Sequence, residues 1–213
     1  MQDMGIEEIF TLLTSEISED EIGNITFHYH GIDVLLNDKS PIGYILQEWL
    51  GKWLESKKIL FYTNPNTQEP PDFFIGKDRK HLELKTFDFE AGANFDIANF
   101  ESYCDMVMKD HSLLDADYLI MAYVLKEGNL TIKKMWLKKI WEISCPSERF
   151  PVKTQVKRDM IYNIRPANWY SSHTAYHAFT SKQQFIQALY KTLKLYDKTT
   201  AYADTWLKAM NSN

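Results

Sequence analysis

The sequence predicts an α/β protein in which a central mixed β-sheet is flanked by helices. Three observations support this fold class. Apolar residues recur at helical spacing near the start of the chain, two apolar strands joined by a polar turn follow, and an apolar run near residue 120 is long enough for a central strand. The chain has 213 residues, 45% of them hydrophobic, so we expect one domain spanning 1–213.

The first third of the chain predicts two helices and two short strands. Residues 4–22 are predicted to form an amphipathic helix, and residues 24–32 a short strand or hairpin arm. Ser40 and Pro41 have the chemistry of a helix N-cap and first turn, and the apolar pattern that follows predicts a helix to about residue 58. Residues 59–62 are then expected to form a buried strand, and 64–71 a loop.

The remaining elements follow from similar patterns. We predict a hairpin over 72–87, a helix over 95–110, a central strand over 116–126, a turn at Gly128 and Asn129, and a partner strand over 130–141. Residues 150–180 lack periodicity and are expected to be irregular or to form short strands. Two closing helices are predicted over 181–196 and about 199–210, with Ser181 as the cap of the first.

The segment from Pro70 to Lys85 contains the most informative pattern in the chain. An Asp follows a proline at position 72, and Glu83 and Lys85 lie two residues apart after an apolar strand and a polar turn. Residues two apart on a strand share a face, so Glu83 and Lys85 project together. Positions 72 and 83 are symmetric about a turn centred between residues 77 and 78. If the strands pair with that symmetry, two carboxylates and an ammonium converge at one point.

Two adjacent carboxylates repel each other, which raises the pKa of one of them or requires a cation. Magnesium prefers oxygen ligands and commonly uses one or two carboxylates together with a substrate phosphate. The alternative is a solvent-exposed hairpin with alternating polar residues, in which a Glu two residues before a Lys is common. The preceding Asp and the matched spacing favour the metal interpretation.

The residues Asp72, Glu83 and Lys85 resemble the PD-(D/E)XK nuclease signature. Segments 92–100, 116–120 and 162–166 resemble the NgoBV-type branch of the type II restriction endonucleases. The resemblance implies a restriction-endonuclease-like core over about 40–145. It also implies Mg²⁺ held by Asp72 and Glu83, a water positioned or activated by Lys85, and cleavage of double-stranded DNA to 5′-phosphate and 3′-hydroxyl ends.

In the resembling family, a Glu from the helix before the active-site strands often completes the site. Glu48 matches that place in chain order, and Glu55 is the weaker competitor. The catalytic residues predicted for this chain are therefore Asp72, Glu83, Lys85 and Glu48.

Charge is distributed unevenly along the chain, whose formal net charge is −5. Residues 1–60 contain eleven acidic and four basic side chains, whereas residues 126–170 contain ten basic and four acidic ones. A local basic patch, rather than the net charge, determines phosphate binding, so we expect a DNA-contacting segment over about 150–180. Ordinary surface exposure is the alternative for each side chain. The candidate DNA-binding residues are Asn94, Asn99, Lys153, Lys157, Arg158, Arg165, Asn168 and Tyr170.

Composition narrows the remaining classes of protein. Cys104 and Cys145 have no partner at metal-ligand spacing, so a structural zinc site or a disulfide framework is not expected. No apolar stretch has the length of a membrane span and the first residues are acidic, so a cytoplasmic protein is expected.

One active site per chain cuts one strand, so cleavage of a palindrome predicts a homodimer. Two other functions stay open at this point. One is a repair or recombination nuclease on the same core, and the other is a DNA-binding or assembly protein that does not cleave.

Overall fold

The computed structural model describes residues 1–19, 21–66 and 69–211. Its backbone groups into two compact units. The first consists of residues 1–92 and 117–137, and the second of residues 93–116 and of Lys138 onward. The sequence predicts a single domain, and the division into two compact units does not test that prediction. None of the described helices is both long and apolar enough to span a membrane.

The first unit contains two helices and a six-stranded mixed sheet, as the predicted fold class requires. The helices are α1 (Ile6–Glu16) and α2 (Ile42–Ser56). The strands are β1 (Gly23–Asn24), β2 (Thr26–Tyr29), β3 (Ile32–Leu35), β4 (Phe61–Thr63), β5 (Phe73–Ile75), β6 (Lys80–Asp88), β8 (Asp117–Lys126) and β9 (Asn129–Lys139). The last two residues of β9 belong to the second unit. In the large sheet the order is β1-β9-β8-β6-β5-β4, while β2 and β3 form a separate hairpin.

Strand β6 pairs antiparallel with β5 and parallel with β8. Strand β8 is almost entirely buried on both faces, which is typical of a strand with a parallel neighbour. One face of this sheet packs with α1 and α2 into an apolar core that includes Leu50, Phe73, Leu82 and Leu84. The two helices therefore fix the sheet from one side and hold the β5–β6 hairpin in place.

The second unit contains helices and a three-stranded sheet. The helices are α3 (Phe100–Lys109), a 3₁₀ turn (His111–Asp115), α4 (Ile140–Ile143), α5 (Lys182–Leu195) and α6 (Ala203–Met210). The strands are β7 (Ala98–Asn99), β10 (Thr154–Lys157) and β11 (Met160–Ile164), in the order β10-β11-β7. Trp206 is fully buried, and its indole N–H donates to the carbonyl of Cys104 at 2.9 Å. This contact ties α6 to α3.

Three local predictions need correction. Ser40 does not cap α2, because its hydroxyl donates to Asp38 at 2.7 Å and the helix begins after Pro41 without a side-chain cap. The strand predicted over 59–62 is shifted to Phe61–Thr63 at the edge of the sheet, where two of its three residues are exposed. The helix predicted from residue 95 begins only at Phe100, because Asn99 accepts a hydrogen bond from the Ser102 amide as its N-cap.

Candidate active site

The β5–β6 hairpin has the register that its sequence symmetry predicts. Phe73 lies opposite Leu82 and Ile75 opposite Lys80, so Asp72 and Glu83 are the next residues in the same register. Phe73, Leu82 and Leu84 are buried in the apolar core. Because side chains alternate along a strand, Glu83 is on the opposite face of β6 from Leu82 and Leu84.

Short polar contacts join Asp72, Glu83 and Lys85. The Asp72 amide donates to Glu83 Oε2 at 3.1 Å, and the Lys85 ammonium lies 2.9 Å from Glu83 Oε1. The Leu84 amide donates to Asp72 Oδ2 at 2.8 Å. The structure therefore brings these three side chains together, while their catalytic role stays a prediction.

This cluster is partly withdrawn from water. Glu83 is 7% exposed and the Lys85 side chain 19% exposed. Burial, and then the negative charge of Glu83, raise the pKa of Asp72 to about 7, although the Leu84 amide and the Lys85 charge act in the opposite direction. Two carboxylates with one ammonium leave an excess of negative charge, which favours either a proton or a cation at this point.

The residues present fit a hard divalent cation. No three His, Cys, Asp or Glu side chains in the described ranges lie close enough to hold a metal ion by themselves. Asp72 and Glu83 nevertheless supply two adjacent carboxylates. A magnesium ion commonly binds to one or two carboxylates and takes its other ligands from water and substrate phosphate. Burial and the charge of Glu83 raise the pKa of Asp72, and a bound cation would stabilise the ionised form of this carboxylate.

Asp72 borders a cleft of about 310 Å³ that is also lined by Glu48 and Glu55 from α2. Both sequence candidates for the additional carboxylate therefore lie at the same cleft. Glu55 is engaged by Lys52 at 2.8 Å, one turn away on the same helix. Glu48 forms no ion pair or side-chain hydrogen bond with any residue that the structure describes. This difference favours Glu48 over Glu55 as the additional carboxylate of the site.

Asn64 is a contributor that the sequence reasoning missed. Its backbone amide donates to the Asp72 carbonyl at 3.2 Å, and its side-chain amide donates to the Glu69 carbonyl at 2.9 Å. Its side-chain oxygen accepts from the Asn66 amide at 3.0 Å. Asn64 thus holds both ends of the loop that precedes Asp72. The Asn64-Pro65 pair, typical of turn initiation, is the sequence signal that could have identified it.

The predicted DNA-binding residues all lie in the second unit, where Arg165 forms the centre of one group. Its guanidinium contacts the Asp96 carboxylate and the Asn94 side-chain oxygen. The Tyr170 hydroxyl accepts from the Ala93 amide at 2.9 Å. Asn94, Arg165 and Tyr170 are therefore brought together, with Arg165 already paired within the protein. Asp96 was missed, because it is 69 residues away in sequence.

The other predicted DNA-binding residues are spread around this unit. Lys157 and Arg158 lie at the tip of the β10–β11 hairpin and are exposed, while the Lys153 ammonium donates to the Pro166 carbonyl at 2.9 Å. Lys153 and Asn168 line a second cleft of about 480 Å³. Asn99 accepts the capping bond of α3 described above. Their contacts with DNA stay predictions.

Comparison with known proteins identifies the family of the chain. The sequence model of the NgoBV restriction endonuclease family matches residues 3–213. The type II restriction enzyme NlaIV of Neisseria lactamica is 37% identical over 206 residues, covering 94% of this chain and 85% of the relative. The type II restriction enzyme NgoBV of Neisseria gonorrhoeae is 36% identical over 157 residues, covering 71% of this chain and 89% of the relative.

A solved structure of the NlaIV restriction endonuclease superposes with a TM-score of 0.92 at 36% identity. The superposition covers 98% of this chain and 87% of that one. The family match, the two relatives and the shared fold all extend over most of the sequence. The chain therefore belongs to the NgoBV restriction endonuclease family.

Proposed function

We propose that this protein is a type II restriction endonuclease that hydrolyses double-stranded DNA at a specific sequence, with Mg²⁺ as its cofactor. The observation that supports this most directly is the contact of Asp72, Glu83 and Lys85 at a partly buried point of the sheet, beside a cleft lined by further carboxylates. The curated relatives NlaIV and NgoBV are type II restriction enzymes, and the chain covers most of their length.

Asp72 and Glu83 would bind the metal ion through their carboxylate oxygens. When bound, a divalent metal polarises a phosphoryl oxygen and lowers the pKa of a coordinated water. The Leu84 amide fixes the orientation of the Asp72 carboxylate, and the Asp72 amide does the same for Glu83. Both carboxylates are therefore oriented before DNA binds, so these side chains need little reorganisation at the moment of reaction.

Lys85 would orient the attacking water and offset negative charge that develops on the phosphate oxygens. Its ammonium is held 2.9 Å from Glu83 Oε1, so the cation stays beside the proposed metal ligands. Glu48 would assist from α2, since it lines the same cleft as Asp72. Glu55 also lines this cleft, but it is paired with Lys52. Attack on phosphorus would leave 5′-phosphate and 3′-hydroxyl ends.

DNA would be bound by basic and polar side chains of the second unit. Lys157 and Arg158 are exposed at a hairpin tip, which suits them to meet phosphates. Arg165, with Asn94 and Tyr170 beside it, is proposed to recognise a base, and Lys153, Asn99 and Asn168 to contact the duplex. Because Arg165 is paired with Asp96, this recognition would require an exchange of partners.

We also propose that the enzyme acts in the cytoplasm as a homodimer, since a chain with one such site cuts one strand at a time. Digestion of a fully sequenced plasmid tests the whole proposal. In the presence of Mg²⁺ it should give a discrete set of fragments whose mapped ends share one sequence and bear 5′-phosphates, and EDTA should abolish the reaction. Cleavage that follows DNA structure rather than sequence would indicate a repair or recombination nuclease instead.

A further inference from the structure

Arg79 lies at the end of the β5–β6 turn, over two aromatic rings. Its guanidinium carbon is 4.8 Å from the centre of the Tyr62 ring and 4.5 Å from that of the Phe74 ring. The Arg79 amide donates to the Gly76 carbonyl at 3.3 Å, which closes the turn and fixes the point at which the side chain begins. A cation within about 6 Å of an aromatic ring centre is attracted to the face of the ring. The two rings therefore hold the guanidinium in one place.

Stacking leaves the hydrogen-bonding edge of this guanidinium available. A ring covers a flat side of the group, whereas its N–H donors point outward in its plane. Arg79 is exposed, and it forms no ion pair and no side-chain hydrogen bond with any residue that the structure describes. Tyr62 is 43% exposed on β4, the edge strand of the sheet. The donors of Arg79 are thus accessible to a ligand from solution.

The two rings and the proposed catalytic side chains lie on the same face of the sheet. Tyr62 is opposite Phe74, and Phe74 is opposite His81. Opposed residues share a face, and so do residues two apart on one strand, so His81 and Glu83 project on that side as well. A strand rises about 3.3 Å per residue, which puts Arg79 roughly 13 Å from Glu83 along the hairpin. Arg79 is therefore an accessible cation on the proposed active-site face.

The local charge suits a polyanion. Residues 77–85 contain four basic and two acidic side chains, in contrast to the acidic first sixty residues. The planar fork of an Arg matches a phosphate group, which it binds through two parallel N–H donors. On each strand of a DNA duplex, one phosphate follows another every ~3.4 Å of the helix axis. A duplex with one phosphate at Glu83 would therefore have another within reach of Arg79.

We propose that Arg79, held by Tyr62 and Phe74, is a binding site for the DNA backbone in the first unit. The inference rests on the proposed function, which supplies a duplex at the active-site face, and it adds a phosphate contact outside the second unit. Because the rings hold the guanidinium before DNA arrives, less side-chain freedom is lost on binding than for an unrestrained Arg. The alternative is that Arg79 only fastens the edge strand β4 to the hairpin.

The salt dependence of binding to a duplex of random sequence, measured in EDTA so that no cleavage occurs, separates these two roles. Arg79→Gln should weaken binding about tenfold or more at low salt, and it should flatten the dependence of log affinity on log salt by about 0.9. Tyr62→Leu should weaken binding about two- to fivefold with the slope unchanged. Lys126→Gln is the matched control, because Lys126 is 66% exposed in the same unit and already paired with Glu90. It should leave affinity and slope near their wild-type values.

A salt slope that Arg79→Gln leaves unchanged would overturn the proposal. Equal affinities of Tyr62→Leu and wild type would overturn the holding role of the rings. If the Arg79 variant fails to fold, modification of the wild type by phenylglyoxal, which reacts with accessible arginines, gives the answer by mass spectrometry. Duplex DNA should protect Arg79, and inorganic phosphate at the same phosphate concentration should not. Modification that DNA does not reduce, or equal protection by phosphate, would count against a DNA site.

Neither measurement depends on DNA cleavage. A protein that binds DNA through Arg79 without cutting it would therefore reject only the nuclease function. A protein that cuts DNA while Arg79 stays unprotected would reject only this binding site.

Discussion

Replacing Asp72 with Asn should stabilise the protein at alkaline pH in the absence of metal. The substitution removes the negative charge that faces Glu83, and the new side-chain oxygen can still accept the hydrogen bond from the Leu84 amide. The usual effect of altering a buried polar contact is destabilisation. A gain in stability is therefore a specific consequence of the electrostatic strain in this cluster.

The size of the effect follows from the pKa of Asp72. Burial and the charge of Glu83 raise this pKa from 3.8 to about 7. At 1.36 kcal/mol per pKa unit, the ionised carboxylate costs the folded state up to roughly 4 kcal/mol. Since the folded-state pKa is above the unfolded one, the native state binds the extra proton between about pH 4 and 7. Wild-type stability is thus lost as pH rises through this window.

Urea unfolding of wild type and Asp72→Asn from pH 4 to 8.5 in EDTA would measure the difference. The variant should be more stable by about 2–4 kcal/mol near pH 8, and the gap should close toward pH 4. Adding Mg²⁺ near pH 8 should stabilise the wild type but not the variant, because a cation bound only by the native state shifts unfolding.

Asp88→Asn, at the last residue of β6, is a control for which the opposite effect on stability is expected. Burial acts to raise the pKa of Asp88, but the hydrogen bond from Lys39, at 2.5 Å, and that from the Glu90 amide lower it overall. Asp88→Asn should therefore destabilise the protein at neutral pH, with the loss fading as pH falls through the depressed pKa. A gain from Asp72→Asn that does not change with pH, or a loss near pH 8, would refute the electrostatic reasoning.

Three further predictions concern cleavage and DNA binding. Lys85→Ala should lower the single-turnover cleavage rate by at least the ~10²–10⁴-fold of general acid–base catalysis and leave DNA affinity nearly unchanged; a drop below tenfold would exclude the role. Glu48→Gln should slow the same step more than Glu55→Gln, and the reverse order would exchange their assignments. Lys157→Ala should flatten the dependence of log affinity on log salt by about one unit, whereas an unchanged slope would place phosphate binding elsewhere.

The sequence alone was sufficient for features that depend on local periodicity. The pairing of Asp72 with Glu83 followed from alternation along strands and from the symmetry of the turn, and the register confirms it. Helix α2 followed from its apolar spacing. The cap at Ser181 followed from its residue type, and its hydroxyl accepts from the Gln184 amide at 3.2 Å.

Features that depend on distant contacts were not accessible in this way. Arg165 contacts Asp96 and Asn94, which are 69 and 71 residues away along the chain, and no local pattern encodes such a partner. The parallel pairing of β6 with β8 likewise depends on the whole fold. Strand β2 was expected from its alternation, but alternation does not reveal that Phe27 and Tyr29 would be exposed.

Single-turnover cleavage by Glu83→Gln tests the central claim most directly. The substrate is a duplex that contains the mapped site, and Glu90→Gln is the matched control, because Glu90 is exposed and paired with Lys126 just beyond the same strand. Glu83→Gln should cut at least ~10³-fold more slowly than wild type at saturating Mg²⁺, with DNA affinity equal or tighter. Glu90→Gln should cut at nearly the wild-type rate. Cleavage by Glu83→Gln within tenfold of wild type would contradict the assignment of Asp72, Glu83 and Lys85 as the catalytic centre.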